Sequence, residues 1–153
     1  MENWLSWQWQ LRNQIKTVAE LQKYVNLTEQ EITGITMAAK EFAWGISPYY
    51  ASLMDSNDPN CPVRRQAIPS WEELDDPVGL MDPLGEVGHS PVPGLIHLYP
   101  DRVAFTVSSR CAMYCRHCIR KRMVARKEIR YDWRAGVEYI RNTPEIRDVL
   151  LTG

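Results

Sequence analysis

The stretch Arg102-Val103-Ala104-Phe105-Thr106-Val107-Ser108-Ser109-Arg110-Cys111-Ala112-Met113-Tyr114-Cys115-Arg116-His117-Cys118 decides how this chain is read. Its first seven residues are β-prone and long enough for one strand. Three cysteines follow directly, spaced C-x3-C-x2-C. Downstream, Asp132 can cap a helix through Val137 and Ile140 that Asn142-Thr143-Pro144 ends. Val149-Leu150-Leu151 then reads as a second, buried strand. Strand, loop, helix, strand is one βαβ unit, for which a right-handed crossover is expected. The cysteines would lie just past the C-terminal end of a parallel strand, where α/β folds place their active sites.

Upstream the texture changes. Eight of the ten prolines fall between Asp58 and Pro100. Each fixes its own φ and removes a backbone donor, so long helices and central strands are not expected there. The segment reads as an extended connector laid over a surface. The first part of the chain reads as helical. Trp4, Trp7, Leu11 and Ile15 recur at helical spacing, as one apolar packing stripe. Thr17 with Glu20, and Thr28 with Glu31, have the form of capping boxes, opening helices through Leu21 and Val25 and through Ile32 and Ile35. Ser47-Pro48 fits an N-cap followed by proline at the first helical position. The expected organisation is a helical region over 1–57, a proline-rich connector over 58–100, and the start of an α/β domain over 101–153.

Composition narrows the class. The chain has 153 residues, 44% hydrophobic and 24% charged, near the globular average, which excludes wholesale disorder, a collagen-like repeat and a coiled coil. No window approaches the roughly 20 apolar residues of a membrane span, and the Trp-rich start has no signal-peptide apolar core. The expectation is a cytoplasmic protein with no membrane partner. Net charge is -1, yet the first hundred residues carry six basic against thirteen acidic side chains, and the rest twelve against six. The densest basic stretch holds Arg110, Arg116, Arg120, Lys121, Arg122, Arg126, Lys127 and Arg130, opposed only by Glu128. Such a block attracts anions; the plain alternative is a solvated helix face. A nucleic-acid-binding module is one rival reading. The acidic first hundred residues and the lack of aromatic residues among Arg116 to Arg130 argue against it, so no nucleic-acid partner is expected.

By count, four cysteines could form two disulfides. Three sit within eight residues, however, Cys61 is far away, and no secretory signal points to an oxidising compartment. Clustered cysteines in such a chain bind metal or do chemistry. Four-iron clusters are usually held by four thiolates. Three close ones would leave an iron open for a substrate or cofactor, by the logic that separates catalytic from structural zinc sites. A structural zinc site is the second rival. It would need Cys61 or His97 as fourth ligand, and neither has the C-x2-C pairing expected.

C-x3-C-x2-C is the signature of radical S-adenosylmethionine enzymes, and the longer string Cys111-Ala-Met-Tyr-Cys-Arg-His-Cys-Ile-Arg-Lys-Arg122 resembles the lysine 2,3-aminomutase family. So do Tyr99-Pro-Asp-Arg-Val103, Trp7-Gln-Trp-Gln-Leu-Arg-Asn13, Asp58-Pro-Asn-Cys-Pro-Val-Arg-Arg65 and Asp82-Pro-Leu-Gly-Glu86. The resemblance covers nearly the whole chain. It implies a [4Fe-4S] cluster on Cys111, Cys115 and Cys118, whose open iron chelates S-adenosylmethionine. Reductive cleavage of that cofactor gives a 5′-deoxyadenosyl radical. The radical serves to move an amino group from C2 to C3 of an amino acid held on pyridoxal 5′-phosphate. The resemblance also implies that Arg102 contacts the pyridoxal phosphate group, that Arg120 pairs with the substrate carboxylate, and that His117 lies near S-adenosylmethionine or donates to a cluster sulfur. Tyr114 is expected to pack. Leu98 stands where lysine-acting members tend to carry an arginine, which leaves room for glutamate or another amino acid as substrate. The implied fold is a partial TIM-like barrel opening with the βαβ unit. Complete barrels need about 250 residues, so the chain is expected to be the N-terminal part of a larger enzyme. Its glycine-rich motif would begin at Gly153, and its pyridoxal-phosphate lysine would lie outside. Such a part is expected to bind a cluster without completing turnover. The implied partners are a small amino acid, a reductant such as flavodoxin or ferredoxin, and further copies of the full-length protein in a homo-oligomer.

Overall fold

A computed structural model of the chain describes residues 3–124 and 132–153. They fall into two compact units. One is built from Met1–Val78 with Cys111–Arg122, the other from Gly79–Arg110 with Met123–Gly153. The grouping cuts across sequence order, because the cysteine segment sits with the helical N-terminal part. Arg126, Lys127, Glu128 and Arg130 of the basic block lie outside the described residues.

The first unit holds helices α1 (Trp7–Arg12), α2 (Val18–Leu21), α3 (Glu29–Ala38), α4 (Pro48–Ser52) and α5 (Pro62–Arg65), and a 3-10 turn over Trp71–Leu74. Local chemistry sets their starts. The Thr17 hydroxyl accepts the Glu20 N–H while the Glu20 carboxylate accepts the Thr17 N–H, and Thr28 and Glu31 repeat the arrangement. Each such cap satisfies helix-start donors that would otherwise be orphaned. Ser47 caps α4, with Pro48 at its first position. The tryptophan stripe does not form one helix. Helix α1 ends at Arg12, Trp7 is 68% exposed, and Ile15 lies outside any helix, in an antiparallel bridge with Ile46. Helix α2 is a single turn, so Val25 enters the core from the chain after it. Ile15, Leu21, Val25, Ile35, Ile46 and Ala51 lead that core, each larger side chain adding roughly 1.5–3 kcal/mol by leaving water. Arg64 is wholly buried inside the unit. Its guanidinium grips both oxygens of Glu31 at 2.8 and 2.7 Å and donates to the carbonyls of Asn26, Asp55 and Ser56.

The second unit is a three-stranded sheet in the order β1 (Leu95–Tyr99), β2 (Arg102–Thr106), β3 (Asp148–Thr152), with α6 (Trp133–Arg141) between β2 and β3 in the chain. Strands β2 and β3 pair in parallel, Arg102 with Asp148 through Thr106 with Thr152. The βαβ unit expected from the sequence is therefore present. Asp132 caps α6 by accepting from the Arg134 and Ala135 N–H groups, and Asn142 closes it. Strand β1 lies within the proline-rich segment, as an edge strand of the sheet. It pairs antiparallel with β2 through a tight turn at Pro100-Asp101, because Tyr99 faces Arg102. Here Pro91, Pro93 and Pro100 flank the strand without interrupting it, so no ladder donor is lost. Leu95, Val103 and Phe105 form this unit's core, with Tyr139, Ile140 and Ile146 packed against them. Strand β3 departs from the expected burial. It is an edge strand paired on one side, and Val149, Leu150 and Leu151 are 41%, 64% and 65% exposed. The described residues are thus mixed α/β. Among them, no helix is long and apolar enough to cross a membrane.

Candidate cluster-binding loop

Cys111 to Arg122 is a run of turns stitched onto the helical unit at its backbone. Met113 bridges antiparallel to Ile46, which itself bridges to Ile15, giving three short segments side by side. The Ser47 N–H donates to Ala112 O at 2.9 Å, and the Tyr114 N–H to Gly45 O at 3.0 Å. Gln14 donates its amide to the carbonyls of Cys111 at 2.5 Å and Ala112 at 3.2 Å. Tyr114 is buried, as expected of a packing residue. Its ring lies so close to Gly45 that a Cβ there would meet Cε2 at 3.3 Å. The loop closes on itself through the Cys118 N–H to Cys115 O at 3.2 Å and the Lys121 N–H to Cys118 O at 3.2 Å.

Side chains fix the loop as firmly as its backbone does. Arg116, between Cys115 and His117, is buried. Its Nε and one terminal nitrogen reach the two oxygens of Glu73 at 2.8 and 2.6 Å, and the other terminal nitrogen donates to Ala43 O at 3.2 Å. The Lys121 ammonium meets the same carboxylate at 3.0 Å and lies 4.6 Å from the centre of the Phe42 ring. Burial pushes the Glu73 carboxyl up, but hydrogen bonds from Arg116, Ser70 and Lys121 and the charge of Arg116 hold it below the usual range. The basic block is therefore not a solvated helix face where it is described. It folds as turns, and two of its cations are consumed by one buried carboxylate.

None of the three cysteines is in a disulfide, and all three are half-buried. Burial, and then the neighbouring thiols of Cys118 and Cys115, push the Cys111 thiol up. Burial followed by the Cys115 and Cys61 thiols does the same to the Tyr50 phenol. Among the described residues no group of three or more His, Cys, Asp and Glu side chains could hold a single metal ion. A four-iron cluster asks for a different geometry, one thiolate on each of several separate irons. Three cysteines outside any disulfide on one anchored loop, with Cys111 close enough to feel both of the others, suit that donor set. Each residue that a zinc site would call on as a fourth ligand already makes a hydrogen bond. The Cys61 sulfur accepts the Asp55 N–H at 3.4 Å, and the His97 ring bonds the Tyr139 hydroxyl at 2.8 Å in the second unit.

The structure brings Cys111, Cys115, Cys118, His117 and Arg120 into one unit. His117 is exposed, and with Gln66, Trp71, Glu72 and Arg65 it lines a groove of about 960 Å³ on that unit. Arg120 is half-buried. Arg102 belongs to the other unit, at the start of β2. There its guanidinium holds both oxygens of Asp101, at 2.8 and 3.1 Å, and lies 5.6 Å from the centre of the Tyr99 ring. Sequence reasoning passed over Gln14, Ile46 and Glu73, the residues that seat the cysteine loop. Only Glu73 left a local signal, as the fourth residue of a Ser70-x-x-Glu73 capping pattern.

No family model matches the chain. It is 49% identical to the L-lysine 2,3-aminomutase of Clostridium subterminale over 99% of the chain and 37% of that protein. To the L-lysine 2,3-aminomutase of Bacillus subtilis it is 47% identical, over 99% of the chain and 33% of the relative. It is also 40% identical to the glutamate 2,3-aminomutase of Clostridioides difficile, over 99% and 37%. The chain thus spans about 37% of the length of the first of these relatives. The resemblance carried by the cysteine motif extends along the chain: over 99% of its length its sequence is similar to the lysine 2,3-aminomutase family.

Proposed function

We propose that this chain contributes the cluster-binding loop of a radical S-adenosylmethionine, pyridoxal-phosphate-dependent amino acid 2,3-aminomutase, an isomerase. The observation that carries the reading is the C-x3-C-x2-C loop, with three cysteines outside any disulfide held on an anchored backbone, in a chain similar throughout to proteins named for that activity. Cys111, Cys115 and Cys118 would hold a [4Fe-4S] cluster. When bound, that cluster with S-adenosylmethionine and pyridoxal 5′-phosphate supplies the radical chemistry that moves an amino group from C2 to C3.

The chain's own residues bind and orient. Gln14, Gly45 and Ser47 hold the loop backbone, so the thiols need little reordering to meet a cluster. His117, on the groove beside the helical unit, serves S-adenosylmethionine. Arg120 takes the substrate carboxylate. Arg102 takes the pyridoxal phosphate group, since the planar fork that now grips Asp101 matches phosphate oxygens equally well. Leu98, half exposed on β1, offers no cation where lysine-acting members tend to have one. The substrate in this reading is an α-amino acid of the lysine or glutamate kind. The βαβ unit would open a partial barrel. A cytoplasmic setting, a flavodoxin- or ferredoxin-type reductant and a homo-oligomeric full-length protein complete the proposal.

The test is anaerobic reconstitution with iron and sulfide. The expected product is a brown protein carrying iron and sulfide together, with loading lost in a Cys111→Ala, Cys115→Ala, Cys118→Ala triple variant. Equal loading in that variant, or zinc without iron, would remove the reading.

A further inference from the structure

We propose that Glu73 is the positioning residue of the cysteine loop: by gripping Arg116 and Lys121 together, it holds the thiols in the arrangement that accepts an iron–sulfur cluster. The inference rests on the cluster reading above and adds a role for a residue outside the motif.

Arg116 directly follows Cys115, and Lys121 is the third residue after Cys118. The two cations therefore hold the turn that the Cys118 N–H closes on Cys115 O, Arg116 from within it and Lys121 from just beyond it. One carboxylate anchors both, Arg116 in a two-pronged grip and Lys121 at 3.0 Å. The Arg116 side chain is 7% exposed and the Glu73 side chain 9%, so water competes little for either partner. The Arg116 N–H adds a bond to Gln66 O at 2.9 Å.

Glu73 is itself held from behind. Its Oε1 accepts the Ser70 N–H at 3.0 Å. The backbone carrying Ser70 lies against α3 at Gly34, where a Cβ would stand 3.1 Å from Trp71 N and 3.2 Å from both Pro69 O and Ser70 Cα. Glycine lets helix and turn approach this closely; a Cβ would need the turn's backbone to give by a few tenths of an ångström. The order of support runs from α3 through Gly34 to the 3-10 turn, then through Glu73 to the two cations and the turn that carries Cys115 and Cys118. Replacing a buried pair by apolar residues is often neutral for stability, so stability alone does not explain a carboxylate placed to hold two points of one loop. Outer partners that orient metal ligands are worth about 10- to 100-fold in metal affinity.

The experiment compares the reconstituted chain with Glu73→Gln, Lys121→Met and Glu31→Gln. Glu73→Gln keeps an oxygen for Ser70 and loses the charge. Lys121→Met removes one leg at a partly exposed site. Glu31→Gln breaks a second buried ion pair of the same unit, the one with Arg64. The readouts are the rate of iron loss to a ferrous chelator and the Tm of the iron-free chain. The expected result is iron loss about tenfold faster or more in Glu73→Gln, a smaller acceleration in Lys121→Met, and a lowered Tm with wild-type iron retention in Glu31→Gln. Wild-type retention in Glu73→Gln despite a lowered Tm would make Glu73 merely structural and overturn the proposal. Equal acceleration in Glu31→Gln would do the same. Should Glu73→Gln fail to fold, wild-type retention in Lys121→Met overturns it. A wild-type chain that takes up no iron and sulfide refutes the cluster reading itself, an outcome distinct from these.

Discussion

Gly136→Ala sets two effects of opposite sign against each other inside the βαβ unit. Gly136 is a buried position in the interior of α6, where alanine is preferred over glycine by about 0.8–1 kcal/mol. On propensity alone the substitution stabilises. The structure says otherwise, because a Cβ at Gly136 would meet the ring of Phe105 on β2, with Cε1 at 3.0 Å, Cε2 at 2.6 Å and Cζ nearer still. Phe105 is 3% exposed and packed with Leu95 and Val103, so the ring has nowhere to swing. Overpacking of this kind costs about 1–3 kcal/mol. The net expectation is a loss of up to about 2 kcal/mol, read as a fall in Tm by circular dichroism or as a lower urea midpoint. The companion variant Phe105→Leu vacates the ring edge. In that background Gly136→Ala should become neutral or stabilising, a coupling that a double-mutant cycle isolates. Stabilisation by Gly136→Ala in the wild-type background would refute the packing of α6 on β2 through this contact.

Two further outcomes follow from the buried ion pairs. Arg64→Ala should cost about 3–5 kcal/mol, because it leaves the Glu31 carboxylate and three carbonyls without their donor; an unchanged urea midpoint would contradict the burial of that pair. Glu73, held below the usual carboxyl range in the fold, contributes stability that is present above its unfolded value of about 4.3 and lost as pH falls below it. Acid titration of Tm should therefore fall off less steeply below about pH 4.3 in Glu73→Gln than in wild type, and parallel acid limbs would count against the ion pair.

What was legible in the sequence was what short-range chemistry writes. The caps at Thr17, Thr28, Ser47 and Asp132 act over three residues, and all four form. The alternation of β-prone runs with one capped helix was enough to read the parallel β2–β3 pair. Strand β1 was hidden by its prolines, since a proline count does not reveal that they stand at the ends of Leu95–Tyr99. The tryptophan stripe misled for a related reason. Helical spacing through Ile15 is a local regularity, whereas the Ile15–Ile46 bridge that claims the residue is a tertiary contact. At the site, C-x3-C-x2-C is contiguous and announced itself. The pairing of Arg116 with Glu73 spans 43 residues, and no local pattern told that arginine from its basic neighbours.

The central claim is that three cysteines hold a cluster with an iron left open for S-adenosylmethionine. The most direct test is the EPR spectrum of the anaerobically reconstituted, reduced chain with and without S-adenosylmethionine. The account predicts a reduced-cluster signal that depends on Cys111, Cys115 and Cys118 and changes shape when S-adenosylmethionine is added. A cluster signal that saturating S-adenosylmethionine leaves unchanged, or one that persists in the triple alanine variant, would contradict it.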